Sequence, residues 1–152
     1  MPDVLGSVRP DSWDFPLFLH VGGAMIAVGG LLAGGTALAV AGTSVRVLRC
    51  GFWSLLAVAL PGVIVMRIGA QWIYNREGFD ASPSNPTWLG IGFITADAGI
   101  ALLFIALVVG AFGVRRLSRG SGTGLLRVSM VLSFVTLAAY LVTVWAMGAK
   151  PG

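Results

Sequence analysis

Residues 60–72 read LPGVIVMRIGAQW, an apolar stretch with Arg67 near its centre and Pro61 near its start. An arginine in the middle of a membrane helix costs about 2.5 to 3.5 kcal/mol on insertion scales, so the stretch predicts a nearby partner for the guanidinium group. Pro61 removes one backbone hydrogen bond from the same helix and marks a site at which the helix can kink and open space beside it.

The whole chain is too apolar to present a surface to water. Of its 152 residues 57% are hydrophobic and 11% are charged, whereas about a quarter of the residues of soluble domains are charged. The net charge of +4 comes from basic residues placed between apolar segments. That pattern is typical of membrane topology and not of nucleic-acid binding. Cys50 is the single cysteine, which excludes an internal disulfide.

Four apolar segments are long enough to cross a hydrocarbon core of about 30 Å, which takes about 20 helical residues. The connections between them are short, so consecutive helices should be antiparallel neighbours. We therefore predict an all-α fold, a four-transmembrane-helix up-down bundle that forms one integral membrane domain over residues 1–152. The predicted helices cover residues 15–41, 52–73, 88–114 and 125–147.

Arginine and lysine residues are unevenly divided between the two sides of this bundle. The loops at residues 43–50 and 115–124 hold five arginines, whereas the other side holds only Arg9, Arg76 and Lys150 together with several acidic residues. Cytoplasmic loops carry the excess of basic residues in membrane proteins. The sequence therefore predicts a plasma (inner) membrane protein with both termini on the outer side and these two loops in the cytoplasm.

Polar residues within the segments converge on the outer half of the bilayer. At a rise of 1.5 Å per residue, Arg67 and Asp97 lie about 10 and about 13 Å from the outer ends of their helices. A planar guanidinium fits a carboxylate, so we predict that these two side chains form an ion pair inside the bundle, shielded from lipid by the other two helices. The predicted polar cluster comprises His20, Arg67, Gln71, Asp97, Tyr140 and Thr143.

A stripe of small residues runs along the first helix at steps of three and four and contains a GxxxG element. Such stripes let another helix approach closely, so we expect a packing surface, with a homodimer as an additional use of it. A larger membrane complex is a further possible assembly of the chain. The other expected partner is the lipid bilayer, and no nucleic acid is expected. The packing residues are Gly23, Ala27, Gly30 and Gly34.

Three runs of the sequence carry a family resemblance. SWDFPLFLHVGGAMIAVGGLLAGG at residues 12–35, RIGAQWIYNREG at 67–78 and PTWLGIGFITADAGIALLFIAL at 86–107 resemble a family of small bacterial four-helix integral membrane proteins that is uncharacterised. The first run also resembles the opening helix of CopD-like proteins, in which a leucine–histidine pair precedes a glycine-rich helix, and His20 is the matching residue. CopD-like proteins are larger, and the additional histidines and methionine-rich motifs of copper handling are absent here. The resemblance implies a fold and little about function.

Three classes of function remain open. The favoured one is a non-catalytic membrane component or subunit, without a cofactor, whose polar cluster secures the bundle. The second is a haem- or copper-binding membrane protein that uses His20, with Met25 or Met66 as a soft ligand. The third is a small dimeric transporter or proton-coupled carrier that uses Asp97 and Arg67. No GxSxG or comparable hydrolase motif occurs, so an enzyme is not expected.

Overall fold

A computed structural model describes residues 14–78 and 86–150. These residues are helical apart from turns, and they contain no strand. All four helices are long and apolar enough to cross a membrane. Arg9, which entered the charge count, lies outside the described residues. The helices are α1 (Asp14–Val40), α2 (Val45–Arg76), α3 (Thr87–Leu117) and α4 (Thr123–Ala149).

The outward faces of the four helices are covered with large apolar side chains. Phe18 and Met25 on α1, Phe104 on α3 and Trp145 on α4 are each more than half exposed. A water-soluble bundle would turn such residues inward, whereas lipid is a suitable solvent for them. The exterior therefore suits a multi-pass membrane protein.

The largest difference from the predicted boundaries is at the start of α2. This helix begins at Val45 and not near residue 52, so most of the predicted loop 43–50 is helical. Leu48 and Phe52 face the bundle while Arg49 is exposed, which makes this first part amphipathic. The long arginine side chain can carry its charge away from the apolar surface, so the charge does not force the backbone out of the helix.

α1 and α2 pack with their backbones in contact along a seam of small residues. A methyl group added at Gly30 would lie 2.5 Å from the backbone nitrogen of Ala59, and one added at Gly62 would lie 2.5 Å from that of Ala27. Only residues without large side chains allow helices to approach so closely. The predicted packing residues all face α2, and they are Gly23, Ala27, Gly30 and Gly34. Because α2 fills this stripe, it is not a free surface for a second copy of the chain.

α3 and α4 form a second tightly packed hairpin. The ring of Tyr140 lies against Gly99, where an added methyl group would be 2.8 Å from a ring carbon. Closer to the turn between the helices, the fully buried Ser129 hydroxyl donates a hydrogen bond of 2.8 Å to the carbonyl of Ala106. Hydroxyl groups that bond across helices in this way are common in membrane interiors.

The two hairpins touch along only part of their length. α1 packs against α4, and the first part of α2 packs against α3, with the Phe52 ring against Gly110. A π-helical turn, Leu55–Ala59, then precedes Pro61 in α2. Proline removes a backbone donor and crowds the preceding turn, and a π turn relieves that crowding at a place where helices commonly bend. Beyond it, the segment Leu60–Arg76 makes few close backbone contacts with α3.

The bundle therefore consists of two unlike halves. The short-loop half contains the end of α1, the start of α2, the end of α3 and the start of α4, and all four helices pack together there. The terminal half contains the opposite ends of the same helices, marked by Asp14, Arg76, Thr87 and Ala149. In the terminal half, α2 and α3 stand apart, and this gap creates the candidate site.

Candidate functional site

A pocket of about 390 Å³ occupies the interior of the terminal half. All four helices line it, for example through His20 of α1, Met66 of α2, Phe93 of α3 and Thr143 of α4. Pockets that bind small molecules in proteins measure about 300 to 1,000 Å³ and are mostly apolar, with a few polar groups. The size and lining of this terminal pocket match that description.

The terminal pocket reaches the ends of the helices in one direction and is closed in the other. Glu77, Trp88 and Lys150 line it where α2 ends, α3 begins and α4 ends. The ammonium group of Lys150 lies 5.5 Å from the centroid of the Trp88 ring, across the mouth. Toward the short-loop half, side chains with almost no exposure, including Leu31 and Leu103, close the interior.

An ion pair bridges the gap between α2 and α3. Arg67 Nε donates to Asp97 Oδ1 over 3.2 Å. The Arg67 side chain is 31% exposed and that of Asp97 is 56% exposed. The pair is therefore partly exposed, whereas the prediction placed it behind the flanking helices. Asp97 follows Ala96, which lines the pocket, and each residue turns the helix by about 100°, so Asp97 faces away from the interior.

Arg67 has further partners on both sides of the gap. Its Nη1 group donates to Gln71 Oε1 over 3.2 Å, and Gln71 in turn donates to Asn75 Oδ1 over 2.9 Å. These residues are spaced four apart and so lie on one face of α2. The guanidinium also stacks over the ring of Phe93 on α3, 4.9 Å from its centroid, which is a cation–π contact. Gln71, a member of the predicted polar cluster, is thus a hydrogen-bond partner of Arg67.

Side chains from α2 and α3 separate the terminal pocket from the outer surface of the bundle. A shallower notch on that surface shares four lining residues with the pocket, and we call these four the α2–α3 partition. The Tyr74 and Phe93 rings meet edge to face within it, with centroids 5.3 Å apart. The partition comprises Arg67, Tyr74, Leu89 and Phe93.

His20 joins α1 to α2 and does not contact the ion pair. Its Nδ1 lies 3.1 Å from the carbonyl oxygen of Met66. A carbonyl can only accept, so Nδ1 carries the proton, and Nε2 is left with a free lone pair in the neutral ring. Metal-binding histidines are commonly fixed in this way by a backbone carbonyl. His20 and Met66 both line the pocket, whereas Met25 is exposed on the outer face of α1.

No dense set of metal ligands accompanies His20. Within residues 14–78 and 86–150, no group of three or more histidine, cysteine, aspartate or glutamate residues is placed to hold a metal ion. Cys50 is exposed and belongs to the start of α2, at the opposite end of the helix from Met66 and the pocket. A metal at His20 would therefore depend on Met66, on exogenous ligands or on a macrocycle such as haem.

Thr143 and Tyr140 belong to the interface between α3 and α4. Thr143 Oγ1 lies 2.6 Å from Thr95 Oγ1, and Thr95 also donates to the carbonyl of Ile91 over 2.7 Å. Tyr140 is only 3% exposed, and its hydroxyl has no hydrogen-bond partner among the described residues. The predicted cluster is therefore divided into three local groups and does not form one network.

The walls of the pocket contain residues that the predicted cluster omits. Trp88, Phe93 and Tyr74 surround the space, and Thr95 completes the hydroxyl pair with Thr143. Of these residues, only Thr95 could have been identified from the sequence, because it lies on the same helix as Asp97 and its hydroxyl can bond across helices. Aromatic residues in a membrane helix carry no such signal, because they are equally common where they face lipid near the interface.

Comparison of the chain with protein-family models, with curated proteins and with solved structures gives no match. The resemblance to CopD-like proteins and to the small four-helix family therefore stays a prediction, and it assigns no role to His20. A function can be inferred from the terminal pocket and from the Arg67–Asp97 ion pair beside it.

Proposed function

We propose that this chain is a non-catalytic component of the plasma membrane that binds a small lipid-soluble molecule in the terminal pocket. Its orientation follows the positive-inside rule, with both termini outside and the short connections between α1 and α2 and between α3 and α4 in the cytoplasm. The exposed arginines Arg49 and Arg116 at the short-loop end support this orientation. The pocket then lies in the outer half of the bilayer.

The observation that carries the proposal is an apolar pocket in a bundle that is otherwise closely packed. Four helices of this length could pack along their whole length, as α1 and α2 do, and leave no space. Here α2 separates from α3 beyond Pro61, and the space is lined mostly by apolar and aromatic residues. The polar side chains of His20, Arg67 and Thr143 lie at its wall, and the charged residues Glu77 and Lys150 lie at its mouth. Such a site is suited to holding a lipophilic molecule.

The same lining supports binding in preference to catalysis. Nucleophilic catalysis needs a serine, cysteine or similar group within hydrogen-bond reach of a base. The hydrogen bond of His20 goes to a backbone carbonyl, and the hydroxyl of Thr143 bonds that of Thr95. These groups hold helices together, and none of them is paired as a nucleophile with its base.

A matched pair of substitutions on α3 tests the proposal. Ala96 lines the pocket, whereas Ala98 is exposed on the outer face of the same helix. We expect protein purified from its own membranes to retain a molecule of defined mass in native mass spectrometry. Ala96→Phe should lose that molecule because the ring fills the pocket, and Ala98→Phe should keep it. Wild-type protein that carries only bulk phospholipid, or equal retention by both variants, would contradict the proposal.

A second candidate function is a haem- or copper-binding protein, which the hydrogen bond from His20 Nδ1 to the Met66 carbonyl favours. That bond fixes the ring and leaves Nε2 as the coordinating nitrogen. The test is an absorption spectrum and a metal analysis of protein purified from its own membranes. A Soret band or stoichiometric copper that disappears in His20→Ala would support this candidate, and a colourless preparation without copper would remove it.

The carrier alternative has less support from the geometry. Asp97 does not line the terminal pocket, and its side chain is turned toward the outer surface. A carboxylate that exchanges protons with a substrate should face the substrate's path. Proton flux in liposomes that Asp97→Asn abolishes would restore this alternative.

A further inference from the structure

We propose that the molecule bound in the terminal pocket is an uncharged amphiphile of the bilayer, which enters sideways between α2 and α3 and is held by a hydrogen bond from Arg67 to an oxygen of its head group. This inference rests on the proposed binding function and adds the entry route and the chemical class of the ligand.

The route is inferred from a comparison of three sides of the pocket. α1 and α2 meet with their backbones in contact, and Gly69 lies against the backbone of His20 beside the pocket itself. α3 and α4 are joined by the hydroxyl pair of Thr95 and Thr143. Between α2 and α3, the described residues that border both the pocket and the outer notch are the four of the partition, so rotation of their side chains would join the two spaces.

The contacts within the partition suit a gate. The Arg67–Asp97 ion pair, the stacking of Arg67 on Phe93 and the edge-to-face contact of Phe93 with Tyr74 all cross the gap. Each is a contact between side-chain ends, and side chains change rotamer far faster than packed helices separate. The helices can therefore stay in place while the gate opens.

The size of the pocket limits the ligand to one chain or one ring system. A volume of about 390 Å³ lies toward the lower end of the 300 to 1,000 Å³ typical of small-molecule pockets. A phospholipid with two long acyl chains is too large for such a space. The apolar lining around Met66 and Phe93 suits the body of a single-chain or ring-shaped lipid.

Arg67 determines the chemistry of the head group. A guanidinium has five N–H donors, and Arg67 uses Nε for Asp97 and Nη1 for Gln71. Its remaining N–H groups have no hydrogen-bond partner in the described part of the chain, and Arg67 lines both the pocket and the notch. An oxygen of a hydroxyl, ester or ketone could accept from them.

The charge balance favours an uncharged head over an anionic one. Asp97 already neutralises Arg67. An anionic head group would place a second negative charge beside one positive charge, and unbalanced charge is costly in the low dielectric of the bilayer. A neutral oxygen adds a hydrogen bond without adding charge.

The entry route can be tested with a reversible bridge across the gate. In a Cys50→Ser background, Tyr74→Cys and Phe93→Cys place one thiol on each side of the gap, and a short reducible bis-thiosulfonate reagent joins them. The protein in liposomes is exposed to a monoacylglycerol with a diazirine in its chain, irradiated and digested. We expect labelling of the pocket residues Met66 and Met147, at least tenfold less labelling in bridged protein, and recovery after reduction.

The outcomes of this experiment separate the two proposals. Pocket labelling that is the same with and without the bridge would overturn the sideways route, since the ligand would then enter past Trp88 and Lys150, and it would leave the binding function intact. Absence of pocket labelling in the wild-type chain, in the unbridged variant and in Ala98→Phe alike would overturn the binding function itself.

The head-group class can be tested with two photoreactive lipids of the same chain length. The wild-type protein should take up the monoacylglycerol about tenfold or more in preference to the fatty acid in alkaline buffer, where the acid is ionised. Asp97→Asn removes the neutralising charge and should reverse this preference. Arg67→Gln should lower monoacylglycerol labelling about tenfold, because a hydrogen bond to a charged donor is lost. Preference of the wild type for the fatty acid, or unchanged labelling in Arg67→Gln, would overturn the assignment.

Discussion

The two halves of the bundle are held together by different interactions. In the short-loop half, Leu55 and Leu126 have no exposed surface, and Ser129 is buried against the α3 backbone. In the terminal half, the contacts between α2 and α3 among the described residues are made by side-chain ends, such as those of Arg67 and Asp97. Lipid solvates apolar side chains as well as a neighbouring helix does, so close packing and polar contacts decide where membrane helices associate. Where two helices have neither close backbone packing nor polar contacts between their backbones, space remains for a ligand.

The largest expected effect is at the backbone seam between α1 and α2. Gly30→Ala would place a methyl group 2.5 Å from the backbone nitrogen of Ala59, and we expect it to lower the free energy of unfolding by about 3 kcal/mol, the upper part of the range for overpacking. Gly29→Ala is the control, because no atom lies near its added methyl group; helix propensity should make it stabilising by up to about 1 kcal/mol. Unfolding in mixed micelles with dodecyl sulfate measures both. Equal effects would show that the seam has another register.

A pair of leucines on α3 compares the packed interior with the pocket wall. Leu103→Ala should cost about 2 kcal/mol, the low end of the range for buried leucines, because lipid removes most of the transfer term and leaves the packing term. Leu89→Ala should cost less than half of that, since the Leu89 side chain already borders the pocket and has fewer contacts to lose. The same unfolding experiment distinguishes them. A larger loss for Leu89→Ala would mean that the pocket is closed in the membrane.

The ion pair across the gap is expected to have a smaller effect. Arg67→Ala and Asp97→Ala should each destabilise the protein, and the double variant should recover about 1 kcal/mol relative to the sum of the two, as is typical of a modest interhelical contact. Ala98→Phe, which does not touch the pair, should combine additively with Arg67→Ala. Additivity of Arg67→Ala and Asp97→Ala would show that the two side chains do not interact.

The smallest expected effect is at Tyr140. Its hydroxyl is buried without a hydrogen-bond partner in the described residues, so Tyr140→Phe should leave stability unchanged or raise it by up to about 1 kcal/mol. Thr143→Val removes one member of the hydroxyl pair with Thr95 and should cost about 0.6 kcal/mol. Unfolding curves of the two variants check the contrast. A loss of more than about 1 kcal/mol in Tyr140→Phe would indicate a bound water or another partner for the hydroxyl.

Much of the helical architecture could be predicted from local sequence. The boundaries of α1, α3 and α4 differ from the predicted ones by at most three residues, because runs of about 20 apolar residues must be helical in a membrane. The start of α2 was placed too late, since arginines within an amphipathic turn look like a loop when only hydropathy is counted. Arg49 is exposed while Leu48 packs inward, which is a helical pattern.

The candidate site could be predicted only in part. Arg67 and Asp97 lie in contact because leaving either charge alone in a bilayer is costly. His20 and Thr143 lie at similar depth but bond to other groups, and the Tyr140 hydroxyl has no hydrogen-bond partner among the described residues. Depth follows from residue number along a helix, whereas the direction of a side chain around the bundle depends on which helix is its neighbour.

The sequence by itself determined that four long apolar helices form and that two opposite charges need each other, since backbone hydrogen bonding and transfer into lipid are properties of consecutive residues. Only the tertiary structure decided that small residues join α1 to α2 and α3 to α4, and that α2 and α3 separate beyond Pro61 to leave a pocket. Packing of that kind depends on which faces of distant segments meet, and lipid imposes no preference among faces that are all apolar.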